Sequence, residues 1–229
     1  MFQTAYEREL PWGHLVAVHL PPMTEETMDV DMKGLHPEEQ TAAEKLLTRR
    51  QITWTGGRLA MAQALRAAGG RSCSILSDDR GAPCMPAGFV GSISHKDTMA
   101  MAMVSPDKGR TLGLDLEFLE PPRPRIARKI LTPAEHEEIK ALPAAEQWRA
   151  TLLRFSLKEA LYKAIDPLVR RYVAFKEVEV RPRSDGRAEI HMNLVQGEVL
   201  QAELSWFEEG GWLVSVVEAW VPNDGNSGL

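Results

Sequence analysis

Cysteine is scarce: Cys73 and Cys84 are the two thiols in 229 residues. They are too few for a disulfide framework, lack Cys-x-x-Cys spacing, and read as small buried apolar residues of a reducing compartment. No stretch approaches the ~20 apolar residues that span a bilayer. The N-terminus carries Glu7, Arg8 and Glu9 and no apolar run of signal-peptide length. The expectation is a cytoplasmic chain with no membrane partner. Excess positive charge is missing too: 27 Lys and Arg against 32 Asp and Glu give a net charge of -5. Nonspecific nucleic-acid binding needs many phosphate-facing cations, so nucleic acid is not the expected partner. The common catalytic signatures are also lacking. There is no Walker loop, Gly-x-Gly-x-x-Gly, Gly-x-Ser-x-Gly or His-Glu-x-x-His.

What is present is an ordinary globular composition, 44% hydrophobic and 26% charged, long enough for one large domain or two modest halves. The spacing predicts a strand over His14–Leu20, an exposed loop over Met23–Gly34 and a helix from Pro37 to Leu47. Gly56-Gly57 introduces a second helix, ended by Gly69-Gly70. Ser74–Leu76 reads as a strand. Val90–His95 and Thr98–Val104 form a hairpin, with Met99, Met101 and Met103 alternating as core filling rather than sulfur ligands. Thr111–Glu117 is a further strand, and helical patterning returns over Pro133–Ala141 and Ala144–Ile165, with Pro167 as the stop. Strands follow over Val173–Val180, Ala188–Leu194, Leu200–Phe207 and Trp212–Trp220, and Asn223–Leu229 is a polar tail. Hairpin turns and interspersed helices favour antiparallel sheets.

Two stretches could carry chemistry. In Phe155-Ser156-Leu157-Lys158-Glu159-Ala160-Leu161-Tyr162-Lys163, the residues Leu153, Leu157, Leu161 and Ala164 make a buried stripe. Glu159 and Lys163 share another face, which suits either a solvated ion-paired surface or a working site. In Gly113-Leu114-Asp115-Leu116-Glu117 the two acids are two apart on a strand and point to one face. Adjacent carboxylates raise each other's pKa unless a cation lies between them, and such oxygens suit magnesium. The alternative is an exposed strand edge. Arg50 and Arg58, eight apart, could grip phosphates from one side of a continuous helix. Arg80 precedes a turn, and Ser94-His95 ends a strand. The group Arg123, Arg125, Arg128 and Lys129 makes a locally basic surface on an acidic chain, suited to a small anion or acidic partner.

Together these segments resemble the 4′-phosphopantetheinyl transferases of the large single-chain type, in particular the subgroup associated with enterobactin-type siderophore synthesis. The resemblance rests on Arg50, Gly57-Arg58-Leu59-Ala60, Arg80-Gly81-Ala82-Pro83-Cys84-Met85-Pro86, Gly91-Ser92-Ile93-Ser94-His95 and the two stretches above. It runs from about residue 40 to 180 in that family's order. It implies an α/β (α+β) fold of two similar halves, 1–110 and 111–229, each an antiparallel sheet packed with helices and related by a pseudo-twofold axis, with the active cleft between them. It implies transfer of the phosphopantetheine arm of coenzyme A to a serine of an acidic acyl or peptidyl carrier protein, met transiently by a monomer, with release of 3′,5′-ADP. By resemblance Asp115, Glu117 and Glu159 hold magnesium, or manganese in its place. Arg50, Arg58, Arg80, Ser94 and His95 take coenzyme A phosphates, with Lys158 and Lys163 near the pyrophosphate, and Glu159, Lys163 and His95 act in catalysis. Two departures stand out: Ala82 replaces a frequent lysine, moving its phosphate role to Arg80, and Met85 replaces a common tryptophan. A magnesium-dependent nucleotide phosphohydrolase and a non-catalytic coenzyme A- or carrier-binding module are the alternatives.

Overall fold

The computed structural model describes residues 1–22, 30–119 and 122–222. Most of the loop expected over Met23–Gly34, and the tail Asn223–Leu229, lie outside the described residues. Two antiparallel sheets organise the rest. The first has the order β1-β2-β4-β3, from β1 (Gln3–Leu10), β2 (Gly13–His19), β3 (Phe89–Lys96) and β4 (Met99–Pro106). The second has the order β5-β9-β8-β7-β6, from β5 (Thr111–Phe118), β6 (Val178–Pro182), β7 (Arg187–Met192), β8 (Gln201–Glu209) and β9 (Trp212–Trp220). Helices α1 (Pro37–Ala43) and α2 (Thr48–Ala67) precede β3, and α3 (Ala127–Ile130), α4 (Pro133–Lys140) and α5 (Ala144–Val169) precede β6. The fold is therefore α+β.

One topology recurs. β2 leads through α2 into β3 and β4, and β4 returns to pair with β2. β5 leads through α5 towards β8 and β9, and β9 returns to pair with β5. Each long helix covers the sheet that it interrupts.

Period-two patterning explains the layers. Val16, Val18, Ala102 and Val104 face α2, where Ala60, Met61, Ala64 and Leu65 meet them. The opposite parity, Leu15, Ala17, Met101 and Met103, packs against Leu112, Leu114 and Leu116 of β5 and Val214 and Val216 of β9. The methionine stripe is core, as its alternation indicates. The third parity set matters for function: with Leu112, Leu114 and Leu116 turned to the sheet interface, Gly113, Asp115 and Glu117 turn to α5. A Cβ on Gly113 would stand 1.9 Å from the carbonyl oxygen of Ala160. Glycine there lets α5 lie against β5 at backbone contact, next to Glu159.

Several expectations are corrected. Gly56-Gly57 does not begin a helix; α2 runs unbroken from Thr48 to Ala67. Those glycines serve packing, since a Cβ on Gly56 would sit 2.1 Å from Leu20 Cδ2. Pro167 does not stop α5, which continues to Val169 and ends on Arg170 in the left-handed region at φ 47°. Proline there forfeits one i→i−4 bond, to the Lys163 carbonyl, and the helix ends within a turn of it. Ser74–Leu76 is not a strand: among the described residues this region shows one isolated bridge, Ser77 to Pro83. The first part of Val173–Val180 is a 3-10 turn over Phe175–Glu177. Strand β1, which pairs along β2, lacked a clear sequence signal. Cys84 is exposed, contrary to expectation, whereas Cys73 is half-buried and packs against the core beneath α2.

Candidate active site

Edges of the two sheets meet through serine hydroxyls. Ser92 Oγ accepts from the Leu114 amide at 2.9 Å, and Ser94 Oγ from the Leu116 amide at 3.2 Å. Ser94 also donates to Asp115 Oδ1 at 3.1 Å. This seam fixes β5 beside β3, and a cleft of about 550 Å³ opens next to it. Arg50, Trp54 and Arg58 from α2, Arg80 from the loop after Ser77, His95 from β3 and Lys163 from α5 line its walls. The volume suits a small-molecule ligand, and the cations suit an anionic one.

The cationic residues differ in their settings. Because α2 is continuous, Arg50 and Arg58 both reach the cleft. Arg58 is 4% exposed, donates to Ser77 Oγ at 2.8 Å and lies over the Trp54 ring at 4.7 Å. Burial pushes its pKa down to about 10, so it remains a cation at neutral pH. Arg50 Nη1 lies 2.6 Å from His95 Nε2. Guanidinium only donates, so Nε2 is the acceptor and the ring proton resides on Nδ1.

Burial first, then Arg50, Lys163 and Lys96, push the His95 pKa down to about 4. His95 is therefore neutral at pH 7. In the unfolded chain it titrates near ~6.5, so the folded form binds fewer protons as pH falls. Its contribution is fully present above the unfolded pKa and is lost as pH falls toward 4. Between pH 7 and 5 the wild type should lose on the order of 1 kcal/mol more stability than His95→Gln, after allowance for solvent screening. Urea midpoints at both pH values check this.

The acids stand on the other side of Lys163. Lys163 Nζ donates to Leu114 O at 2.7 Å and Asp115 Oδ1 at 3.1 Å. Asp115 Oδ2 is buried and has no hydrogen-bond partner among the described residues. Glu117, 1% exposed, is paired with Lys96 at 2.5 Å and Arg123 at 2.8 Å. Burial, followed by the Asp115 charge, raises the pKa of both Glu117 and Glu159. β5 and α5 thus bring the three predicted acids into one electrostatic neighbourhood. Among the described residues, however, no three His, Cys, Asp or Glu side chains stand as a ready ligand cluster. The donor chemistry still fits a hard divalent cation: all are carboxylates, and Asp115 keeps an unused oxygen.

Two sequence expectations fail here. Lys158 does not reach the cleft. It is 0% exposed, and its three donor hydrogens go to Ile130 O at 2.9 Å, Glu135 Oε2 at 2.7 Å and Phe175 O at 3.0 Å. On α5 it lies about 100° round from Glu159, which turns it into the core as Glu159 turns towards β5. Ser94 is buried and spent on β5, so it braces Asp115 instead of lining the cavity. Conversely, Trp54, Ser77, Tyr162 and Asp166 line the cleft without having been singled out. Trp54, four before Arg58, was the one with a readable signal, a helical aromatic–arginine pair.

A cation-walled cleft beside buried carboxylates, set at the seam of an α+β fold, suits an anionic ligand such as a phosphate ester. The family model for the 4′-phosphopantetheinyl transferase superfamily matches residues 111–217, and that for the 4′-phosphopantetheinyl transferase N-terminal domain matches residues 38–105. The chain is 32% identical over 182 residues to 4′-phosphopantetheinyl transferase PptT of Mycobacterium tuberculosis, covering 76% of this chain and 79% of that one. It is 31% identical over 172 residues to 4′-phosphopantetheinyl transferase Npt of Nocardia iowensis, covering 74% and 76%. Enterobactin synthase component D of Escherichia coli K12 matches at 36% over 118 residues, 51% of this chain and 55% of its own. The chain belongs to the 4′-phosphopantetheinyl transferase family, and its activity is that of a 4′-phosphopantetheinyl transferase.

Proposed function

We propose that the chain moves the 4′-phosphopantetheine arm of coenzyme A onto a serine of an apo acyl or peptidyl carrier protein, with magnesium or manganese, and releases 3′,5′-ADP. The observation that carries this reading is the abutment of the cationic cleft and the acids, joined at Lys163, which lines the cleft and binds Asp115. Both cleft walls come from one chain, which supports a monomer as the working unit, with a division near residue 110 between its halves. No helix among the described residues is long and apolar enough to cross a membrane; the reading places the enzyme in the cytoplasm.

The residues divide the work. Arg50, Arg58 and Arg80 hold coenzyme A phosphates, and neutral His95, fixed by Arg50, offers its Nδ1 hydrogen to a phosphate oxygen. Asp115, Glu117 and Glu159 would hold the divalent ion, Glu117 by exchanging a cationic partner. When bound, that ion supplies charge neutralisation at the diphosphate. The serine oxygen forms a bond to the phosphorus bearing the pantetheine arm as the bond to the bridging oxygen breaks. Glu159 takes the serine proton, directly or through water, and Lys163 offsets the charge on the leaving 3′,5′-ADP. Incubation of apo carriers with coenzyme A and magnesium tests the reading by mass spectrometry. A carrier heavier by one phosphopantetheine supports it, and free phosphopantetheine beside unmodified carrier overturns it.

Arg125, Arg128 and Lys129 are exposed, follow Arg123, the partner of Glu117, in the chain, and form the proposed docking surface for an acidic carrier. Reversing these three charges should raise KM for the carrier tenfold or more and leave KM for coenzyme A within twofold. Equal losses for both substrates would remove the assignment.

A further inference from the structure

The loop carrying Arg80 is tied to α5 across the cleft. Arg80 Nε donates to Asp166 Oδ2 at 2.7 Å, and its Nη2 closes a second bond to Asp166 Oδ1. Both residues line the cavity. Asp166 lies three residues after Lys163 and seven after Glu159, the i, i+4, i+7 spacing of one helix face. The acid therefore sits on the same stripe of α5 as the two residues assigned to the chemistry.

The loop itself is pre-shaped. Asp78 Oδ1 accepts from the amides of Arg80 at 2.9 Å and Ala82 at 2.8 Å, and Asp78 N donates to Ala82 O at 2.9 Å. Gly81, at φ +89°, closes this turn in a region open to glycine. What the turn leaves unset is the direction of the Arg80 guanidinium on its three-carbon stem. A carboxylate that engages Nε and Nη2 fixes the plane of the fork and leaves both Nη1 hydrogens for another acceptor. A second tie, Arg170 to Asp79 at 3.3 Å, joins side chains that are 61% and 73% exposed, so it contributes little.

We propose that Asp166 is a positioning residue that aims Arg80 at the phosphates of the nucleotide end of coenzyme A. The proposal rests on the transferase reading and on Arg80 as a phosphate ligand. Asp166 does not touch the reacting atoms. It holds the cation in the binding orientation before the ligand arrives, so its removal costs affinity and not turnover. It also registers the Arg80 wall against the helix that bears Glu159 and Lys163.

The test is a double-mutant cycle on the full chain, with coenzyme A binding measured by calorimetry and steady-state kinetics measured on an apo carrier. Asp166→Ala should weaken coenzyme A binding about tenfold, raising KM for coenzyme A while kcat stays within twofold. Arg80→Ala should weaken binding at least as much, and Asp166→Ala should add nothing in the Arg80→Ala background. Asp166→Glu should restore part of the affinity, and Arg170→Ala should leave it within twofold. A loss confined to melting temperature, additive losses in the cycle, or tighter coenzyme A binding in Asp166→Ala would each overturn the proposal. Unchanged binding in Arg80→Ala would also overturn it, by removing Arg80 from the phosphate set, while leaving the transferase reading to the carrier-modification assay.

Discussion

Lys158→Ala is expected to yield a chain that folds poorly or not at all, despite the place of Lys158 beside Glu159 in the family motif. The ammonium is wholly buried and makes three hydrogen bonds, one of them to Glu135 at 2.7 Å. Glu135 is itself buried. Its Oε1 accepts from the Val180 amide at 2.8 Å and its Oε2 from the Thr132 amide at 2.8 Å. The pair thus pins α5 to the N-terminus of α4, to β6 and to the loop before β6. Removing the cation strands a carboxylate in the core, which costs about 3–5 kcal/mol against a whole-domain stability of about 5–15 kcal/mol. Replacing both partners, as Lys158→Met with Glu135→Gln, should recover part of that loss, since breaking a buried pair costs more than removing it. Urea midpoints of the wild type, Lys158→Ala and the double replacement measure the pattern. A Lys158→Ala protein of normal stability and reduced coenzyme A affinity would return the residue to the cleft.

Glu159→Gln should reduce kcat by about a thousandfold, within the range that general-base removal costs, with the fold intact. Glu159 is half-buried, and its raised pKa brings the carboxyl nearer the pH at which a base works best. The amide keeps the shape and removes the charge that Asp115 and Glu117 repel. Its melting temperature should therefore equal or slightly exceed that of the wild type. Turnover near the wild-type rate would refute Glu159 as the base.

Much of this was legible in the chain itself. The alternation in Gly113-Leu114-Asp115-Leu116-Glu117 places both acids on one face, and the leucines name the other face as core. The methionine alternation of β4 reads correctly for the same reason: strand parity is local information. Lys158 misleads because nothing local separates a surface lysine from a buried one. Its partner Glu135 is 23 residues away and meets it only when α4 docks on α5. Arg80 and Asp166, 86 residues apart, are invisible for the same reason. Gly56-Gly57 reads as a breaker from propensity, while its actual cause is the approach of Leu20 and Ile93. Ser94 belongs to a motif but spends its oxygen on a neighbouring strand, a distinction that spacing alone does not carry.

The central claim is that acids from β5 and α5 serve one divalent ion beside the coenzyme A cleft. Titration of Mn2+ into the full chain with coenzyme A, followed by electron paramagnetic resonance, tests it most directly. The account predicts one tight Mn2+ per chain, weakened at least tenfold in both Asp115→Asn and Glu159→Gln. Tight binding that survives in both variants would contradict it.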